Sequence, residues 1–154
     1  MDWLKLVARK FRRFWKLDRN SRWLLLQAFI LLSLVTLFLK FWKVKHAQIA
    51  LIWLLPAPKI SLYKSDHISK IKQTIQMVQL AAIYCQWAKC LPKSLVLWGL
   101  LRHQGIENSE LRIGVRQDAE NFEAHAWVEC EGIALNDTLD VRSRFAMFDS
   151  PIEL

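Results

Sequence analysis

An almost uninterrupted apolar run over residues 23–39 limits most strongly what this chain can fold into. Only Gln27, Ser33 and Thr36 interrupt the run. A membrane-spanning helix needs about 20 apolar residues, with a lower limit of about 17, so the length of the run stands at the boundary. Either lipid or protein must cover these side chains. Directly before the run, the segment 18–21 offers Asp and Ser side chains, which cap helices well.

The charge around the run is one-sided and leaves several interpretations open. Residues 1–45 carry 11 Lys and Arg against two acids, whereas residues 46–154 carry 11 against 12, so the net charge of +8 arises at the N-terminal end. Basic residues that are denser before the run than after it would hold the N-terminus of a span inside the cell. Residues 3–17 form a basic amphipathic stretch, which is either a membrane-surface helix or a helix that packs on its own domain or a partner.

Composition narrows the class of partner and the cellular setting. A basic end suits an acidic partner, anionic lipid or nucleic acid, yet no segment resembles a nucleic-acid-binding module, so we expect no nucleic acid partner. Three cysteines and no secretory cleavage pattern near Met1 indicate a reduced, cytosolic protein. The cysteines lack the paired short spacings of a zinc site, and we expect neither a metal nor a cofactor.

Two prolines mark the boundary between two regions. Pro56 and Pro58 end the apolar helical sequence, which predicts a basic, hydrophobic helical region over residues 1–58 and a second domain over residues 59–154. The periodicity in the second domain predicts a helix over about residues 66–86, then another helix, then short strands. The expected fold class is α+β, with a helical layer against a small antiparallel sheet.

Cys90 stands where the second of these helices is predicted to begin. Pro92 is tolerated in a first helical turn, where its missing N–H is no loss, and apolar residues follow at helical spacing until Gly105. A helix N-terminus supplies partial positive charge and unpaired N–H groups, which favour the nucleophilic thiolate form of cysteine. We therefore predict Cys90 as a nucleophile, with its own N–H as the first oxyanion donor.

His125 and Asp137 fall on strands predicted to form a hairpin. A three-residue loop would place His125 directly opposite Asp137, about 5 Å away, where the carboxylate can orient the imidazole. A two-residue loop would shift the pairing by one and place His125 opposite Thr138. The predicted strands cover residues 111–115, 122–130 and 133–136.

Together these side chains could form a Cys-His-Asp triad. Of the other cysteines, Cys85 lies within a predicted helix and Cys130 beside the turn; both lack a base and are interpreted as structural. Asp140 is the alternative acid, and the first hairpin register favours Asp137. Gln86 is a candidate for the second oxyanion donor, but its spacing is not diagnostic and that donor stays unassigned.

The order of these residues resembles the transglutaminase-like branch of papain-type folds, and more closely the leader peptidases of lasso-peptide biosynthesis, in their stand-alone form. The resemblance covers roughly residues 60–150. It rests on five blocks in the right order, residues 90–95, 100–106, 111–115, 123–129 and 135–137. It implies a transglutaminase-like core, with the nucleophile helix packed on a small antiparallel sheet and hydrophobic helices before it.

The resemblance also implies an activity and a set of partners. The family's protease triad carries over to Cys90, His125 and Asp137, and the family removes the leader from a lasso-peptide precursor, beside a leader-recognition protein and an ATP-dependent lasso cyclase. Because those partners are cytosolic, we favour a buried or membrane-adhering helix over a span, with membrane contact through residues 1–55 at the inner face of the cell membrane. A transamidase with the same triad, and a membrane-associated scaffold with a vestigial triad, are the alternatives.

Overall fold

The computed structural model describes residues 17–58, 67–118 and 121–147. Apart from Leu17, the predicted amphipathic stretch lies outside the described residues, as does the predicted helix cap at Ser65 or Asp66. The described elements, in chain order, are α1 (Arg19–Phe38), α2 (Val44–Leu54), α3 (His67–Tyr84), α4 (Cys90–His103), β1 (Ser109–Asp118), β2 (Asn121–Cys130), β3 (Ile133–Ala134), α5 (Val141–Arg144) and β4 (Ala146–Met147).

Helix α1 contains the apolar run and begins four residues before it. Its N-cap is Asp18, whose carboxylate accepts hydrogen bonds from the Ser21 backbone N–H at 3.2 Å and from the Ser21 hydroxyl at 2.5 Å. The predicted cap is therefore confirmed. Farther along the chain, Gln73 of α3 donates a hydrogen bond of 2.6 Å to the Ser21 hydroxyl, which joins the start of α1 to α3.

The hydrophobic core runs without a break from α1 through α3 and α4 to one face of the sheet. Leu32 of α1, Ala81 of α3, Leu97 of α4 and Val128 of β2 are all fully buried in it. Residues on both sides of the predicted boundary at residue 58 therefore share one core. Among the described residues, one helix, α1, is long and apolar enough to cross a membrane. One third of its apolar segment is buried inside the protein.

Helix α4 begins at Cys90, as predicted, and its C-terminal end is closed by a glycine. Gly105 has a φ of 85°, a conformation that glycine adopts without strain. Its N–H donates to the Arg102 carbonyl at 2.9 Å, and the Ile106 N–H donates to the Leu101 carbonyl at 3.0 Å. This pair of bonds is the Schellman motif, which satisfies carbonyls at the end of a helix. The predicted stop at Gly105 is confirmed.

The sheet is antiparallel and has the strand order β3-β2-β1-β4. β1 and β2 pair along their whole lengths, while β4 adds to the free edge of β1. The predicted α+β arrangement, a helical layer against a small antiparallel sheet, is confirmed. The sequence pattern does not predict α5 or β4, because elements of four and two residues carry too little periodicity.

The loop between β2 and β3 has two residues, Glu131 and Gly132, so the pairing follows the second of the two registers considered. Their φ angles of 51° and 81° are both positive, which suits the tight turn of a two-residue hairpin. β3 ends at Ala134, two residues earlier than predicted. The first register, in which His125 would lie directly opposite Asp137, is therefore wrong, and the alternative with the two-residue loop is confirmed.

Candidate active site

His125 and Asp137 meet although their strands do not pair at this level. β3 ends before Asp137, the chain leaves the sheet, and the Asp137 carboxylate turns back to Nε2 of His125, with which it forms a hydrogen bond. A carboxylate only accepts hydrogen bonds, so Nε2 of the neutral imidazole carries the proton and Nδ1 keeps its lone pair. This tautomer is the one in which Nδ1 can accept a proton from a thiol.

The Asp137 carboxylate is held by several donors besides the imidazole. It accepts hydrogen bonds from the Thr138 backbone N–H at 2.7 Å and from the Arg144 guanidinium at 3.0 Å. Burial by itself would raise the pKa of Asp137, but the hydrogen bonds from His125 and Thr138 outweigh burial and hold that pKa below its ordinary value. Asp137 is therefore ionised at neutral pH and suited to orient the ring.

Two aromatic rings fix the plane of the imidazole. The centroid of the His125 ring lies 5.1 Å from that of Phe145 and 6.1 Å from that of Trp127, both in stacked orientations. Gly114 pairs with His125 across β1 and β2, beneath these rings. A Cβ atom at Gly114 would lie 2.9 Å from Cβ of Phe145, closer than real Cβ contacts come, and 3.0 Å from the Trp127 ring, which is tighter than most of them. The packing around the imidazole therefore needs glycine here.

A chain of hydrogen bonds connects the nucleophile helix to the strand that carries His125. The buried Ser94 hydroxyl of α4 donates to the Ala126 carbonyl at 2.9 Å and accepts from the Asn136 amide at 3.0 Å. The side-chain oxygen of Asn136 in turn accepts a hydrogen bond from the Val128 N–H at 2.8 Å. It takes the role that a backbone carbonyl would have if β3 were longer. Three segments, α4, β2 and the chain after β3, are thus joined next to His125.

Cys90 is the first residue of α4 and is half-buried. It lies one helical turn before Ser94, on the same side of the helix, because residues four apart in a helix share a face. Within the described ranges, neither the Cys90 sulfur nor Nδ1 of His125 has a hydrogen-bond partner. The structure thus brings His125 and Asp137 into contact and ties the Cys90 helix to the His125 strand, without a bond between thiol and imidazole.

The other two cysteines differ from Cys90 in their surroundings. Cys85 is fully buried, and Cys130 is half-buried at the end of β2. Burial, followed by the negative charge of Glu131, raises the pKa of Cys130 and so disfavours its thiolate form. Gln86 is exposed in the loop between α3 and α4, four residues before Cys90, and the second oxyanion donor stays unassigned.

Sequence reasoning missed a buried carboxylate next to this site. Glu129, 1% exposed, accepts hydrogen bonds from the Trp127 indole at 2.8 Å and from Nε of Arg142 at 2.7 Å, while Nε of Arg112 lies 3.3 Å away. Burial would raise the pKa of Glu129, but the hydrogen bonds from Arg142 and Trp127 and the two positive charges hold it below its ordinary value. Glu129 thereby fixes the indole that stacks beside His125.

The sequence carried only a weak signal for this carboxylate. Glu129 sits two residues from Trp127 and four from His125, so all three side chains share one face of β2. Its partner Arg142 belongs to the short helix α5, which the pattern did not predict. In the parts of the chain that the structure describes, no three His, Cys, Asp or Glu side chains come together as a metal site would need.

Comparison with known proteins gives one match. A model of the Transglutaminase-like superfamily matches residues 33–148, which is most of the chain. The matched segment begins inside α1 and includes α2, so it takes in helices that the sequence analysis assigned to the N-terminal region. Neither a curated protein nor a solved structure matches the chain.

Proposed function

The chain belongs to the transglutaminase-like superfamily, and from this we propose that it is a cysteine peptidase that removes the leader from a ribosomally made lasso-peptide precursor. The observation that carries the proposal is the hydrogen bond between His125 and Asp137, formed beside the helix that Cys90 begins. Activity of the cysteine peptidase or transamidase type is what the superfamily suggests. The narrower choice of a leader peptidase comes from the five sequence blocks that resemble those enzymes.

The proposed reaction is acyl transfer to water. Nδ1 of His125 takes the proton of the Cys90 thiol, and the thiolate attacks the carbonyl carbon of the peptide bond between leader and core. His125 then gives this proton to the departing amine of the core, which leaves a thioester between Cys90 and the leader. Water, deprotonated by His125, attacks the thioester and releases the leader with a free carboxylate, and the departing Cys90 thiolate takes back the proton from His125. Asp137 keeps the imidazole in the productive tautomer throughout.

Contact between the thiol and the imidazole is a requirement of this mechanism. The hydrogen bonds of Ser94 and Asn136 hold the start of α4 against β2, and the mechanism requires the thiol and the imidazole to come within hydrogen-bond reach when substrate binds. Catalytic hydrogen bonds are often long in the free enzyme and shorten in the complex with substrate. The N–H of Cys90, at the start of α4, is the first donor for the oxyanion.

The proposal includes separate partners. We propose that a leader-recognition protein presents the precursor and that an ATP-dependent cyclase uses the released core. Incubating the precursor with this protein, with and without the recognition protein, tests the first point by the rate of leader release. Equal rates in the two mixtures would contradict the need for a recognition partner, while leaving the peptidase assignment intact.

The decisive experiment identifies the products by mass. The precursor, the recognition protein and either the wild-type chain or its Cys90→Ala variant are incubated together. We expect free leader and free core with the wild-type chain, and intact precursor with the variant. Joined chains with the loss of ammonia would instead indicate a transamidase. Leader release that is unchanged in Cys90→Ala would mean that the triad is vestigial and that the chain is a scaffold.

A further inference from the structure

Helix α1 is apolar on two opposite sides, and among the described residues only one of them is covered by protein. The exposed side forms a continuous apolar stripe at spacings of three and four residues, each side chain between 48% and 62% exposed. Its members are Trp23, Leu26, Ile30, Leu34 and Leu37. The opposite side carries the buried residues of α1, including Leu24, Ala28 and Leu32. A helix that is apolar all around needs a second covering surface.

The apolar stripe continues into the turn after α1 and into α2. Phe41 and Trp42 in the turn are exposed, as is Trp53 of α2, at 72%, 53% and 83%. A groove of about 410 Å³ lies between α1 and α2, and its lining includes Leu34 and Leu54 from the two exposed sides. The stripe, the turn and the groove form one apolar surface, which we call the α1–α2 face.

The charges around the α1–α2 face have one sign. Residues 19–58 contain five Lys and Arg and no acid. Three of the five, Lys40, Lys43 and Lys45, are exposed in and beside the turn that carries Phe41 and Trp42. In the part of the chain that the structure describes, none of these three lysines pairs with a carboxylate. Aromatic rings and lysines side by side are typical of segments that bind the headgroup region of a membrane with anionic lipids.

We propose that the α1–α2 face docks the folded protein on an anionic membrane, with α1 lying in the plane of the surface. A transmembrane orientation would bring the elements packed on α1 into the bilayer with it, because one side of α1 is packed in the shared core and Ser21 is bonded to Gln73 of α3. The apolar length of α1 therefore fits a helix that is covered by protein on one side and by lipid on the other. The exposed apolar stripe and the groove lie at the boundary between the lipid headgroups and the acyl chains, while the three lysines contact the headgroups.

Docking in this way leaves the candidate active site accessible. Helix α2 packs on α4 at Gly99, where the side chains of Leu51 and Leu55 lie within 3.6 Å of the position of a Cβ atom. Gly99 is nine residues from Cys90, which corresponds to about 13 Å along the helix axis. The α1–α2 face therefore lies away from the helix start that carries the proposed nucleophile.

The proposal is tested by flotation of the full-length protein with vesicles. We expect the wild-type chain to float with phosphatidylglycerol-containing vesicles and to partition less into pure phosphatidylcholine. Replacing two exposed aromatics, Phe41→Ser with Trp53→Ser, should lower partitioning into both by at least about tenfold, because the buried apolar area falls. A matched variant, Phe122→Ser with Leu139→Ser, removes two equally exposed apolar side chains elsewhere and should float as wild type does.

Charge is tested separately in a Lys40, Lys43 and Lys45 to Gln variant. Each lysine near an anionic surface is expected to strengthen partitioning about fivefold, so the variant should partition about 100-fold more weakly into anionic vesicles while its partitioning into neutral ones is unchanged. Wild-type chains that do not float, or an aromatic variant that floats unchanged, would overturn the proposal. So would a wild-type dimer that the aromatic variant converts to monomer without lipid, because the face would then bind a second copy.

Protease access distinguishes docking from insertion. With the protein added to the outside of sealed vesicles, trypsin enclosed in the vesicle lumen should cleave neither end of α1, at Arg19 or at Lys40, because both lie on the outer side. Cleavage at one end by the enclosed trypsin would indicate a span and overturn the in-plane orientation. Leader cleavage by the same sample is independent of either result, so failure here and failure of the proposed peptidase activity are distinguishable.

Discussion

The Asp137 carboxylate contacts four groups at once: the imidazole of His125, the backbone N–H and the hydroxyl of Thr138, and the guanidinium of Arg144. The bonds from Thr138 and Arg144 keep the carboxylate in place, and its bond to His125 can therefore orient the imidazole. Asp140, the alternative acid in the sequence, is exposed, and its carboxylate lies 3.3 Å from Nε of Arg144. Within the described residues, the imidazole is bonded to Asp137 and not to Asp140.

Replacing each acid by the matching amide should separate their roles. Asp137→Asn keeps the size of the side chain but loses the charge and the tautomer it selects, so we expect kcat for leader cleavage to fall about 10⁴-fold. Cys90→Ala and His125→Ala should each cost about 10⁶-fold, since they remove the nucleophile and the base. Single-turnover rates measure these effects. Asp140→Asn is the control and should stay within a few fold of wild type; a larger loss for Asp140→Asn than for Asp137→Asn would contradict the assignment.

Glu129 is a second side chain whose charge depends on its neighbours. Its carboxylate is buried, whereas the side chain of its partner Arg142 is 43% exposed, so removing the charge of Glu129 loses the charge-assisted hydrogen bonds, at a cost of about 1.5–3 kcal/mol. We expect Glu129→Gln to lower the free energy of unfolding at pH 7 by about this amount. Glu123→Gln, which removes an exposed pair with Arg116, should lower it by less than about 1 kcal/mol.

The pH dependence of the Glu129→Gln effect follows from the lowered pKa of Glu129. In the unfolded chain this carboxyl titrates at about pH 4.3, and in the folded chain below that value. Its stabilising contribution is therefore complete above about pH 4.3 and is lost as the pH falls through the lower, folded-state pKa. Urea unfolding at pH 7 and at about pH 3 should show that the difference between wild type and variant shrinks in acid. A difference that stays constant would mean that the charge of Glu129 is not what stabilises the fold.

Among the strands and helices, the contact between β1 and the rings beside His125 is the tightest point of the site. Gly114→Ala places a Cβ atom 2.9 Å from Cβ of Phe145, an atom fixed to its backbone, so the strand or the ring must move. We expect a loss of about 1–3 kcal/mol in the free energy of unfolding and slower leader cleavage, because Phe145 stacks on the imidazole.

Helix α4 offers the matched control for this substitution. At Gly99 an added Cβ atom would meet Leu55 at 3.5 Å, which is an ordinary contact. Alanine also favours a helix interior over glycine by about 0.8–1 kcal/mol, so Gly99→Ala should be neutral or slightly stabilising. Thermal unfolding of the two variants measures the contrast. Equal stability of Gly114→Ala and Gly99→Ala would contradict the close packing around His125.

For the molecule as a unit, the shared core makes the N-terminal helices part of the transglutaminase-like domain. Five buried leucine and valine side chains of α1 face the core. At about 1.5–3 kcal/mol for each, their burial contributes about 7–15 kcal/mol, which is comparable to the whole net stability of a typical domain. We therefore expect a fragment of residues 59–154 to show no cooperative thermal transition by circular dichroism. A fragment that unfolds cooperatively and cleaves the precursor would show that the predicted boundary separates two independent domains.

Local sequence was sufficient for several features of the fold and the site. The cap at Asp18, the start of α4 at Cys90 and its end at Gly105 depend on neighbouring backbone groups, which lie within a few residues along the chain. The two-residue turn at Glu131 and Gly132 was one of two registers that the sequence allowed. The two registers place opposite faces of the strand after this turn on the core side, and a strand of two to four residues carries too little alternation for the pattern to choose between them.

Tertiary structure decided which side chains of separate elements are in contact. The sequence determined that α1 is a helix without polar sides, but only packing against α3 and α4 shows that one side is covered by protein, since hydropathy does not distinguish a protein core from lipid. His125 and Asp137 were identified as candidates from the chain, yet their contact arises where β3 ends and the chain turns back. The pairing of Glu129 with Arg142 joins residues of separate elements. Such contacts depend on the relative positions of whole elements in space, which nearest neighbours along the chain do not encode.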